Sequence, residues 1–132
     1  MYQKDFDQWS KVKKQINVKK VRITIRSGDV RWIIFGVNVA SEIDGKGDLF
    51  LRPALILHVI GADLALVVPL TSKQKNIPGY IPFALKKKFC SLCLHQIKVV
   101  SQNRMLYRLE HVADSRVYEV QRHVMDFYGF HR

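Results

Sequence analysis

Acidic residues are scarce in this chain: eleven against twenty-two lysines and arginines, a net charge of +11. That balance points away from an acidic scaffold and toward a polyanionic partner, nucleic acid first. Long apolar runs are missing too. The longest, 53–60 and 64–70, are too short to cross a bilayer. The polar, charged N-terminus lacks the form of a secretory leader, so a soluble cytoplasmic protein with no membrane partner is expected. With two cysteines, no second pair exists to complete a zinc site. Internal repeats and low-complexity segments are absent as well.

What is present is enough for one folded domain. At 132 residues and 48% apolar content, the chain can bury a single core without staples. Residues 1–26 hold eight lysines and arginines against Asp5 and Asp7, a net of +6. The other 106 residues hold fourteen against nine, a net of +5, so both parts are basic.

Residues 2–17 read as a basic amphipathic helix, with Phe6, Trp9, Val12 or Lys13 and Ile16 three or four apart. Its stripe is narrow, so it is expected to dock lightly or fray, and its loss to spare turnover. Residues 18–26 alternate Val21, Ile23 and Ile25 with Arg22, Thr24 and Arg26, which fits a short strand or an extended linker. After the Gly28-Asp29 turn, 30–35 is β-branched and aromatic, a strand by composition. A loop over 36–51 is long enough to be functional or mobile. Strands are expected at 53–60 and 64–70 around Gly61-Ala62-Asp63, then at 81–85, 89–100 and 106–112. A helix over 114–128 has Asp114 or Ser115 as N-cap, an apolar face of Val117, Val120, Val124 and Phe127, and Gly129 as its stop. Short strands with close turn signals and a helix at each end predict a mainly β, α+β fold, a bent sheet or barrel.

Five strings follow one another in a recognisable order: Gly28-Asp29-Val30-Arg31-Trp32, Ser41-Glu42-Ile43-Asp44-Gly45-Lys46, Arg52-Pro53-Ala54-Leu55-Ile56-Leu57, Pro69-Leu70-Thr71-Ser72 and Gln96-Ile97-Lys98. Together they resemble the MazF/PemK-type toxins, small endoribonucleases of bacterial toxin–antitoxin systems. The resemblance implies a small SH3-like barrel of five to seven strands with a C-terminal helix, here carrying an extra N-terminal helix. It also implies a homodimer neutralised by a cognate antitoxin. On this reading residues 1–26 are an extension and 27–132 the toxin domain.

Arg52 stands out by chemistry alone: a permanently charged donor fork at a strand mouth suits a phosphate or a developing oxyanion. Its bland alternative is a salt bridge to Glu42 or Asp44. Thr71 and Ser72 leave a neighbouring strand-like run and would hold a phosphoryl oxygen or the nucleophilic hydroxyl, unless they merely cap a strand end. The resemblance matches Arg52 and Thr71 to the family's catalytic pair. His95, where relatives often carry an acid, is a candidate to accept a ribose 2′-hydroxyl proton, with His58 a weaker one. His111, His123 and His131 share no spacing with carboxylates. Candidate substrate contacts are Glu42, Lys73, Lys75, Gln96 and Lys98, with Phe50, Tyr80 and Phe83 as stacking faces for unpaired bases. Cys90-Ser91-Leu92-Cys93 is read as two buried strand residues, because positions three apart point to opposite faces.

The expected activity is metal-independent, cofactor-free cleavage of single-stranded mRNA, giving a 2′,3′-cyclic phosphate and a 5′-hydroxyl. The alternatives are a non-catalytic gyrase poison resembling CcdB, or an RNA- or DNA-binding module on the same barrel. Three features depart from the family pattern: residues 1–26, the insertion Gly47-Asp48-Leu49-Phe50-Leu51, and Lys98 where arginine is common.

Overall fold

The two longest apolar runs of the sequence become neighbouring central strands. The computed structural model describes residues 2–20 and 22–130. Its elements are α1 (Phe6–Asn17), β1 (Asp29–Ile34), β2 (Leu51–Ile60), β3 (Leu64–Thr71), β4 (Tyr80–Ala84), β5 (Phe89–Cys93), β6 (Lys98–Ser101), β7 (Met105–His111) and α2 (Asp114–Tyr128). The strands form one antiparallel sheet in the order β4-β5-β3-β2-β1-β7, with β6 also paired to β3.

Strands β2 and β3 are buried on both faces, which is why they read as continuous apolar runs rather than alternating ones. Leu55, Leu57, Val68 and Leu70 enter one core with Val117 and Val120 of α2. Ala54, Ile56, Ala65 and Val67 enter a second with Ile33, Phe35, Val100 and Met105. The sheet is therefore wrapped by its own later strands on one face and by α2 on the other.

One edge of β3 is shared. Leu64 to Val67 pair with β6, whereas Leu70 and Thr71 pair with β5. The chain must step between these two registers, so the expected continuous strand over 89–100 is broken by a tight 3-10 turn at Leu94–Gln96. The turn is anchored by Leu94, buried in the first core, whose amide donates to the Gly79 carbonyl at 2.7 Å. His95 accordingly sits on a turn and not on a strand.

The helix ends differ modestly from expectation. Asp5 accepts from the Gln8 amide at 2.9 Å and starts α1 at Phe6. Phe6 stays half-exposed, while Trp9 and Val12 are buried. Ala113 takes the N-cap position of α2 without a side-chain bond, because the Val112 amide is held by the Gly28 carbonyl and keeps the chain extended to that point. Asp114 instead lies in the first turn, where its charge favours the helix dipole. Phe127 is largely exposed and packs edge-on to Tyr128, while Gly129 closes the helix as expected. Residues 22–26 run as an extended linker whose Ile23 and Ile25 pack on the second core. Val21 and His131 lie outside the described residues. Among the described residues, no helix is long and apolar enough to cross a membrane.

Candidate active site

The site depends on one irregularity in β2. From Ile60↔Leu64 to His58↔Leu66 the β2–β3 pairing keeps one register, and beyond the irregularity between Ile56 and His58 it shifts by one residue. The shifted register runs through Ile56↔Val67, Leu55↔Val68 and Ala54↔Pro69. Continued two residues further, it sets Arg52 across from Thr71. Residues opposite one another on adjacent strands share a face, and a one-residue slip moves every side chain to the other face. Without the irregularity, Arg52 would face Ser72 and Thr71 would point away. Thr71 is buried at the end of β3, and Ser72 follows it, exposed.

Arg52 is oriented by the loop between β1 and β2. Its Nε donates to the main-chain carbonyl of Asp44. This contact takes the place of the alternative carboxylate salt bridge, because the Asp44 carboxylate is engaged elsewhere. It accepts from the Asn38 amide at 2.7 Å and the Tyr2 hydroxyl at 3.1 Å, and pairs with Lys4 at 3.2 Å. Two glycines let the loop fold this tightly. A Cβ at Gly45 would meet the Phe50 carbonyl oxygen at 1.6 Å, and one at Gly36 (φ +78°) would meet the Trp9 ring at 2.3 Å. Gln96 pins the loop from the far side, accepting from the Ile43 amide at 3.1 Å and donating to the Ser41 carbonyl at 3.0 Å.

Two cavities meet at Arg52. One, of about 400 Å³, is lined by Arg52, Thr71, Ser72, Trp32, Lys46 and Lys88 among others. None of its described lining residues is acidic. The other, of about 630 Å³, lies between Arg52 and Lys73 on one side and Tyr2, Gln3 and Asp5 on the other. Burial pushes the Arg52 guanidinium below its ordinary value, opposed by Cys93, Asp44, Tyr80 and Tyr2. An arginine guanidinium is always charged in proteins, so the group remains a cation. A half-buried cation sharing an acid-free cavity with two hydroxyl side chains is suited to hold a phosphodiester and to stabilise charge that grows on it.

The other sequence candidates divide into groups. Lys75 lies over the Tyr80 ring at 5.6 Å, and His95 lies tilted against the same ring at 5.1 Å between centroids. His95 is exposed and lines neither of the Arg52 cavities. Glu42, Gln96 and Lys98 line a third, smaller hollow of about 240 Å³. Burial, then Arg104, lowers the Lys98 ammonium from its usual value, and Glu42 works against that shift. Phe50 is 7% exposed, packs against Trp9 at 5.7 Å and lines the larger of the Arg52 cavities, while Phe83 belongs to the first core. His58 is exposed far along β2, six residues from Arg52, which removes it from the site. Cys90 and Cys93 are both free and buried.

Three contributors escape the sequence reading. Trp32 enters the cavity through its place opposite Pro53, and Lys88 lies 5.7 Å from its ring centroid. Tyr2 arrives through the fold-back of the N-terminal segment. The only sequence signal for Trp32 was its place in the first family string, and Tyr2 had none.

The family of PemK-like, MazF-like toxins of type II toxin–antitoxin systems matches residues 26–128. Among curated proteins none matches the chain in sequence. Among solved structures, MazF from Deinococcus radiodurans is 20% identical with a TM-score of 0.67, over 82% of this chain and 99% of that one. The MazE–MazF complex of the same organism gives 19%, 0.60, 83% and 99% for the same quantities. An endoribonuclease from a mycobacterial species, in complex with its cognate antitoxin, gives 13%, 0.59, 83% and 99%. These likenesses show the fold over most of the chain, and the family match begins after α1. With more than three-quarters of its length matched, the chain belongs to the PemK-like, MazF-like toxin family of type II toxin–antitoxin systems.

Proposed function

We propose that this toxin is an endoribonuclease that cleaves single-stranded mRNA without a metal ion or cofactor. The observation that carries this reading is that Arg52 and Thr71 line one cavity whose charged lining residues are all cationic. The ribose 2′-hydroxyl loses its proton as its oxygen bonds to the adjacent phosphorus. The bond to the 5′-oxygen breaks, and that oxygen takes up a proton. The products are a 2′,3′-cyclic phosphate and a 5′-hydroxyl. Arg52 faces the phosphoryl oxygens as negative charge accumulates, and its guanidinium is already held in place by the Asp44 carbonyl. The Thr71 hydroxyl, with Ser72 at the rim, holds a non-bridging oxygen or the attacking hydroxyl. A proton-transfer role for His95 has less support than a binding one: its ring lies tilted against Tyr80, beside Lys75, and the pair offers aromatic contact to an unpaired base. Lys73 and Lys98 are placed to track the phosphate backbone. Gln96 acts through the loop it pins, and Glu42 through Lys98.

In this reading residues 27–132 are the toxin domain, 1–26 an added N-terminal extension, and the protein works in the cytoplasm as a homodimer silenced by a cognate antitoxin. The test is incubation of purified protein with mixed RNA in EDTA. New ends that accept label from a polynucleotide kinase without prior phosphatase treatment, and that disappear in Arg52→Ala, support it. RNA left intact, or cut only when metal is added, contradicts it.

A further inference from the structure

Helix α1, which precedes the family match, packs on the segment 47–51 that the sequence reading takes as an insertion. The Lys46–Leu51 turn, closed by reciprocal amide–carbonyl bonds of 2.8 Å, holds the inserted residues and turns Phe50 (φ +54°) inward. There Phe50 joins Trp9, Val12, Ile34 and Val37 in a third core, so the insertion is the seat of α1. Arg104 reinforces the seat from 5.4 Å over the Trp9 ring, and Asn103 donates to the Ile16 carbonyl at 3.0 Å. Helix α1, so fixed, leads its preceding residues back over the loop. Tyr2 and Lys4 both fasten to the Asp44 carboxylate, and Lys4 also donates to the Ala40 carbonyl at 3.0 Å. Tyr2, Gln3 and Asp5 thereby wall the 630 Å³ cavity beside Arg52.

We propose that this wall is a nucleobase subsite, taking the unpaired base of a nucleotide next to the phosphate at Arg52. The inference rests on the nuclease reading for the identity of that phosphate. The cavity falls within the ~300–1,000 Å³ range of small-ligand pockets. Arg52 borders both it and the Thr71 cavity, so a strand whose phosphate sits on Arg52 places adjoining nucleotides in the two hollows. Lys73 also lines this cavity and supplies a cation for the next phosphate. Tyr2 is 67% exposed, offering a ring for stacking, while its hydroxyl stays tied to Asp44. Gln3 supplies both a donor and an acceptor for a base edge. The N-terminal segment is therefore a specificity element added to the family site.

The test separates base recognition from catalysis. A short 2′-O-methyl oligonucleotide lacks the attacking hydroxyl, and an abasic residue is walked along it. Affinity is read by fluorescence anisotropy for wild type, Tyr2→Ala and Tyr2→Phe. At one position, loss of the base should weaken wild-type binding about tenfold, as expected for one stacked base. Tyr2→Ala should lose about the same factor on the intact oligonucleotide and be indifferent to the abasic residue there. Tyr2→Phe, which keeps the ring and drops the hydroxyl, should bind like wild type. If Tyr2→Ala matches wild type across the whole abasic series, the subsite is wrong, whatever the cleavage assay says. If the series behaves as expected while unmodified RNA stays uncut, the subsite stands and the nuclease reading falls.

Discussion

Arg52 and Asp44 are joined through main chain, not through charge: the guanidinium Nε donates to the Asp44 carbonyl, which leaves the Asp44 carboxylate free to gather Asn38, Lys4 and Tyr2. A single loop residue thus sets the guanidinium, the loop's own turn and the N-terminal arm. A side-chain salt bridge would have neutralised the charge that a phosphate needs. The carbonyl contact orients the same group and leaves its charge available.

Replacing Asp44 with alanine should therefore slow cleavage without removing any group that touches the phosphate. The main-chain carbonyl survives but loses its fixed position, and misplacement of about an ångström can cost ~10²-fold in rate. Stability should fall by about 1–3 kcal/mol, because the part-buried Asn38 amide loses its acceptor. Single-turnover kinetics and thermal melts check both. A wild-type rate would show that the loop does not position Arg52.

Asp29 predicts a purely structural effect. Its carboxylate is 1% exposed and lies 2.7 Å from His111 Nδ1, with Arg26, Arg31 and Arg108 between 3.6 and 3.9 Å away. Asp29→Asn removes the charge that this ring of cations surrounds. Breaking such a buried arrangement costs about 3 kcal/mol, the lower end of the usual range, because Arg26 and Arg108 are half-exposed. Denaturant melts should show this loss, with the cleavage pattern unchanged below the transition. An altered pattern in folded protein would tie Asp29 to the site.

Both thiols should resist alkylation in the native state. Burial pushes Cys90 and Cys93 above their ordinary value, with Lys88 opposing it at Cys90 and Arg52 at Cys93. A raised pKa means less thiolate at a given pH, and the thiolate is the reactive form. At pH 8, iodoacetamide should modify neither cysteine until the protein is unfolded, and both afterwards, as mass spectrometry would show. Rapid native labelling would contradict the buried placement.

The sequence revealed what local pattern and composition control. Runs 53–60 and 64–70, the turn at Gly61-Ala62-Asp63 and the Gly129 stop all follow from apolarity and backbone preference. What escaped it depends on contacts between distant segments. The register irregularity near Leu57 has no side-chain signature, yet it decides which hydroxyl faces Arg52. Phe50 looked like an exposed aromatic on a polar loop and became core because Trp9 packs on it. His95 looked like a strand residue because nothing local marks the change of partner from β5 to β6 along β3. The N-terminal helix, expected to dock lightly or fray, gives Trp9 and Val12 to the third core, and the segment before it lines the Arg52 cavity.

The most direct test of the account is a double-mutant cycle on Arg52 and Thr71, measured as single-turnover cleavage with melting curves as controls. Arg52→Ala should cost ~10²–10³ in rate, as loss of one charge-stabilising donor does. Thr71→Ala should cost at least about tenfold while melting close to wild type. If both side chains act on one phosphate, the double variant should be much less impaired than the product of the two single losses, since residues that act as a unit are not additive. Losses that simply multiply, or a Thr71→Ala protein that cleaves at the wild-type rate, would contradict it.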